Sequence, residues 1–128
     1  MMNLVLDSSY AIDAVLDDDL SKLEPLRTWR IIAPSVYVDE CRNVAVRAIR
    51  HRAVSREFGL TALNSMLFMP IAIHAVGTEA VMEAAFEYGL NGFDASFIAL
   101  AVERGDAVAT LDRSMQRAAE SLGLVVIG

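Results

Sequence analysis

Four carboxylates stand out by where they fall. Asp7 and Asp112 each close a short apolar run, "LVLD" at 4–7 and "ATLD" at 109–112, and each opens a D-x-S step, Asp7-Ser8-Ser9 and Asp112-Arg113-Ser114. An Asp between a strand and a helix is often no more than an N-cap. Two of them in the same sequence context favour a shared site beyond the strand ends. Asp94 lies inside "GLNGFDASFIALA" (89–101). Burying an unpaired carboxylate costs on the order of several kcal/mol. On a helix, Ile98, Ala101 and Phe97 sit about 40°, 20° and 60° from Asp94, so it shares the apolar face and not that of Glu103 and Arg104. The dipole at a helix start offsets only about 0.3–1 kcal/mol of that cost. A cation explains the rest better. Glu40 lies at the edge of a core stripe of Tyr37, Cys41, Val44 and Ala48. Asn43 and Arg47 line up with it at i+3 and i+7. At this point Glu40 is either a site acid or a solvent-facing residue with polar neighbours.

Acids without accompanying Cys or His clusters suit a hard cation, Mg²⁺ or Mn²⁺, with oxygen ligands and retained waters. Such an ion polarises phosphate oxygens and activates water. Residues 41–56 hold five arginines and no acid, although the chain carries a net charge of −6. That segment is a solvated helix face, or it binds phosphates or an acidic partner. A phosphodiester backbone would use both features, arginines for its phosphates and a metal for its cleavage.

The elements that must hold these residues alternate. Residues 3–7, 30–33, 71–74, 107–112 and 124–128 read as short apolar strands. Helices are expected over 9–17, 24–29, 35–54, 56–68, 78–88, 93–104 and 113–122. Ser55 is the candidate N-cap of the fourth, and Gly89, Gly105 and Gly123 are the candidate C-terminal stops. Apolar runs without alternation suit a parallel sheet covered on both faces. The pattern predicts an α/β three-layer sandwich, with sites beyond the carboxyl ends of its strands.

At 128 residues, 55% hydrophobic and 22% charged, the chain predicts one folded domain over 1–128 and excludes disorder. One cysteine, Cys41, excludes an intramolecular disulfide and fits a reducing cytoplasm. No apolar stretch suits a membrane span, and no signal peptide is evident. A phosphate-binding G-x-x-x-x-G-K-[ST] loop is lacking, as is a D-x-D after the first strand. The only lysine is Lys22, which argues against a phosphoryl-transfer enzyme or a receiver-type phosphoacceptor. Trp29 and the phenylalanines read as core or interface, His74 as a structural histidine and Cys41 as a buried hydrophobe. The Met-rich stretch 63–70 is either core or a partner contact.

The segments "LVLDSSYAID", "APSVYVDECRNV" and above all "YGLNGFDASFIALAVERGDAVATLDRSM" resemble the PIN-domain family, and within it the VapC-type ribonuclease toxins. The resemblance spans nearly the whole chain. It implies a five-stranded parallel sheet in order 3-2-1-4-5 and Mg²⁺- or Mn²⁺-dependent endoribonuclease activity. It also implies a small cognate antitoxin as partner and a homodimer. The family's acids match Asp7, Glu40, Asp94 and Asp112. Ser9 and Thr110 match supporting hydroxyls, and Asn43 matches an asparagine one turn past the glutamate. Position 114 is Ser where some relatives carry a further acid. Arg47 is expected either to contact a phosphate or to pair with Glu40. A non-catalytic PIN-like RNA- or protein-binding module is the competing expectation.

Overall fold

The computed structural model describes residues 2–17, 20–51 and 54–128, Leu20 by its backbone alone. Five strands form: β1 (Asn3–Leu6), β2 (Arg30–Pro34), β3 (Ala72–His74), β4 (Ala107–Ala109) and β5 (Val125–Ile127). Six α-helices lie between them: α1 (Ser8–Leu16), α2 (Tyr37–His51), α3 (Arg56–Leu67), α4 (Thr78–Tyr88), α5 (Gly92–Arg104) and α6 (Arg113–Ser121). All strand pairs are parallel, in the order β3-β2-β1-β4-β5. This is the expected fold and strand order.

The central strand β1 is sealed, with Leu4, Val5 and Leu6 fully buried, and β4 beside it is equally closed. The edge strands depart from the expected two-sided burial. Ile73 in β3 is 48% exposed and Val125 in β5 is 50% exposed. An edge strand has a neighbour on one side only, so its flank and part of its faces meet solvent.

Several boundaries differ from the sequence reading. The turn around Pro25 is a 3₁₀ helix (Glu24–Thr28), preceded by a shorter one at Leu20–Lys22. The third expected helix, 35–54, begins only at Tyr37; Arg52 and Ala53 lie outside the described residues, and Val54 is not helical. Asp7 is the first residue past β1 and Asp112 the third past β4, so neither belongs to a strand. Ser55 caps α3 as expected, its side chain accepting from the Phe58 N–H at 3.0 Å.

Two glycines end helices for different reasons. Gly89 closes α4 at φ +64°, the left-handed conformation that favours glycine. Gly105 closes α5 in extended backbone, so it is not the left-handed stop that the sequence suggested. A Cβ there would lie 2.8 Å from Ala101 Cα and 3.2 Å from Val5 Cγ2. Gly105 therefore lets the end of α5 press onto β1. Because α5 runs back against the strand direction before β4, its N-terminus returns to the carboxyl edge of the sheet. The first turns of α1, α2 and α6 begin at the same edge. Among the described residues no helix is long and apolar enough to cross a membrane.

Candidate active site

Asp7 is 4% exposed and sits where the chain leaves β1. Its backbone N–H donates to the Ala109 carbonyl at 2.9 Å, which extends the β1–β4 ladder by one step. It occupies the N-cap position of α1, yet its side chain makes no capping bond. The Asp7 carboxylate is instead held laterally. Ser9 Oγ and Thr110 Oγ1 donate to Oδ2 at 2.5 and 2.8 Å, and Ser8 Oγ approaches Oδ1 at 3.5 Å. Burial raises the Asp7 carboxyl above its usual range and Asp112 adds to that, against the opposing bonds from Ser9 and Thr110.

Thr110 is fully buried and works in two directions. Its hydroxyl donates to Asp7 and accepts from the Asp112 N–H at 3.0 Å. Ser9 does the same, accepting from the Leu111 N–H at 3.3 Å. Two hydroxyls thus tie the loop after β1 to the loop after β4. Asp112 is a true N-cap: its Oδ1 accepts from the Met115 N–H at 2.9 Å. The two D-x-S steps therefore look alike in sequence but hold their acids differently.

Asp94 is not the cap of α5. Asn91 is, its Oδ1 accepting from the Asp94 N–H at 2.9 Å. The sequence reading missed Asn91, although the spacing of Asn91 and Asp94 is that of a capping box. Asp94 is half-buried. Burial first, then the charges of Asp112, Asp7 and Glu40, push its carboxyl up to about 6, while Arg47 opposes them. Glu40, in the first turn of α2, is raised by burial and by Asp7, lowered by Arg47 and raised again by Asp39. The fold therefore brings Asp7, Glu40, Asp94 and Asp112 into one field of mutual repulsion, with Arg47 as the cation that relieves it.

Asn43 is exposed on the next turn of α2. Among the described residues no ion pair joins Arg47 to Glu40, so Arg47 is left available to another anion. Arg47 lines a groove of about 270 Å³ between α1 and α2, together with Ser9, Val44, His51 and Leu111. His51 and Leu111 were not anticipated; no motif marks them. His74 belongs to edge strand β3, which pairs with β2 and not β1. Cys41 is fully buried, and burial with the nearby Asp7 and Glu40 pushes its thiol up to about 12.

The donor chemistry fits a hard divalent cation: carboxylate and hydroxyl oxygens, with the carboxylates coupled to one another. Among the described residues no three of His, Cys, Asp and Glu stand ready as a closed ligand set. Mg²⁺ needs no such set, since it keeps several waters and takes one or two carboxylates directly.

The PIN domain family model matches residues 4–121. The chain belongs to the PIN domain family. No curated protein sequence matches it. Among solved structures, it is similar to PAE2754 from Pyrobaculum aerophilum, at 19% identity over 98% of this chain and 84% of that one, with a TM-score of 0.76. VapBC2 from Rickettsia felis, solved bound to a DNA fragment from its promoter, aligns at 14% identity over 98% and 97%, with a TM-score of 0.69. VapC20 from Mycobacterium tuberculosis, described as a sarcin-ricin loop cleaving toxin, aligns at 14% identity over 90% and 94%, with a TM-score of 0.62. At these identities the PIN fold is what the structures share.

Proposed function

We propose that this PIN-domain chain, acting as one unit over residues 1–128, is a Mg²⁺- or Mn²⁺-dependent endoribonuclease and the toxin of a toxin–antitoxin pair in the cytoplasm. The observation that carries this reading is the mutual charge coupling of Asp7, Glu40, Asp94 and Asp112 at one sheet edge, beside Arg47. Carboxylates gathered at such a cost in repulsion suit a cation. The fold likeness to VapC20 and to VapBC2 supports the toxin assignment.

In this reading Asp7, Asp94 and Asp112 hold the cation directly or through water, and Glu40 completes the site. The bound cation supplies charge neutralisation and polarisation of the phosphodiester and of water. Ser9 and Thr110 fix the Asp7 carboxylate. Glu40, raised above the ordinary range, orients the attacking water and takes its proton. Arg47 meets the phosphate charge that grows as the bond breaks, and Asn43 supports the same turn. The products are a 5′-phosphate and a 3′-hydroxyl.

A small cognate antitoxin and a second copy of the chain are the proposed partners. Two exposed apolar surfaces are available to them. One is the end of α3, where Leu67 and Phe68 face solvent and Met66 is buried. The other is a groove of about 650 Å³ on α4 and α5, lined by Met82, Phe86, Tyr88 and Val102.

The test is cleavage of RNA by purified protein with Mn²⁺, with and without chelator. Wild type should cut only with metal. Asp94→Asn should lose about 100-fold or more of that rate while keeping its circular dichroism. Among the described residues no closed three-ligand set forms, and a second reading is a non-catalytic RNA- or protein-binding module. That reading holds if calorimetry gives no Mn²⁺ heat and RNA binding survives Asp7→Asn.

A further inference from the structure

Leu111 sits between Thr110 and Asp112 in the loop after β4, at the edge of the acid cluster. It is apolar and yet 40% exposed. Its backbone is fixed there, because its N–H donates to Ser9 Oγ at 3.3 Å. Leu111 also lines two grooves. One is the groove of about 270 Å³ between α1 and α2 that holds Arg47 and His51. The other, of about 450 Å³, lies along α6 and reaches Gly128, with Arg113, Gln116 and Arg117 on its wall. The two meet at Leu111, beside the acids.

The charges of these grooves run against the composition. The chain has 11 Lys and Arg against 17 Asp and Glu, so a cation finds an acid easily. Lys22, Arg27, Arg42 and Arg104 each pair with one. Among the described residues Arg47, Arg113 and Arg117 pair with none, and all three are exposed. Arg117 reaches only Ser114 Oγ, at 3.5 Å. Each groove has one acid on its wall. Asp13 is engaged by Lys22, and Glu120 lies farther down α6, away from the acid cluster.

Unpaired cations on either side of an exposed apolar residue suit a single nucleic-acid strand. Its phosphates take the guanidiniums, while sugar and base cover the apolar side chain. An acidic peptide would find the same cations. The RNA strand is favoured because both grooves run to the acid cluster, where a phosphate of the strand has to lie.

We propose that the two grooves form one track for a single RNA strand, which crosses Leu111 as it passes the acids. Arg47 and His51 hold it on the α2 side, and Arg113 and Arg117 hold it along α6. This rests on the proposed function for the nature of the strand.

The test is binding of a labelled single-stranded RNA of about 10 nucleotides to the full chain in chelator, across a range of salt, followed by anisotropy. Wild type should bind one strand per chain. Arg113→Ala with Arg117→Ala should weaken Kd about 10-fold and make the salt slope shallower by about 1.4, two phosphate contacts' worth. His51→Ala, in the other groove, should weaken the same complex about 3-fold. Arg27→Ala with Arg104→Ala removes as much charge from the opposite edge of the sheet and should leave Kd within about 2-fold. An unchanged Kd and slope in the α6 double variant overturn the track, as do two strands per chain or no binding by wild type. If poly-glutamate displaces the RNA as well as unlabelled RNA does, the surface serves an acidic protein and the proposal fails. Cleavage with Mn²⁺ is read separately. Wild type that binds in the expected way but cuts no RNA leaves the track standing and sinks the nuclease. Wild type that cuts RNA, with binding indifferent to Arg113 and Arg117, does the reverse.

Discussion

Asp94 is held against its own charge, and that has a measurable sign. A carboxyl whose pKa is raised on folding stabilises the fold while it is protonated. That contribution is complete below the ordinary Asp range near 4 and is lost as pH rises through about 6. Metal-free wild type should therefore lose Tm between roughly pH 4 and 7. Asp94→Asn should show a flatter profile, matching wild type at pH 4 and melting higher at pH 7.5. Saturating Mn²⁺ should remove much of the wild-type loss, as expected of a ligand that binds the folded state. Thr110 is the second residue with a clear expectation. Thr110→Val keeps the shape but takes one donor from Asp7 and the acceptor from the Asp112 N–H. It should cost about 1–3 kcal/mol in urea unfolding and lower RNA cleavage about 10-fold.

Helix α5 shows how an element sets a side chain. Asn91 fixes where it starts, Gly105 fixes where it ends, and Asp94 is placed between them. Gly105→Ala would drive a methyl into Ala101 backbone and Val5. It should cost about 1–3 kcal/mol, read as a lower urea midpoint with an unchanged m-value. The elements themselves were legible in the sequence, because each strand is an apolar run bounded by turn residues and each helix a periodic segment. What local pattern could not separate was two outwardly similar features. Gly89 and Gly105 both follow a helix, but only the first needs a positive φ; the second answers to β1, far away in sequence. Asp7 and Asp112 both precede a helix, but only Asp112 caps it. The Asp7 side chain is turned aside by Thr110, a partner 103 residues away.

At the scale of the molecule, charge and apolar surface are divided. Arg47 of α2 stands near the acid cluster, while Met82, Phe86 and Val102 form an apolar face on α4 and α5. Phe86 is 81% exposed. If that face joins two copies, Phe86→Asp should convert the dimer to monomer by light scattering, with the melting curve of the monomer otherwise preserved. The sheet order has a different consequence. Strand β1 lies at the centre and pairs with β4, so the first acid of the site waits for residues over a hundred positions later. Such distant contacts form late in folding. During synthesis, Asp7 emerges early and stands alone until Thr110 and Asp112 follow it. The acid cluster therefore stays incomplete for most of the chain's own translation.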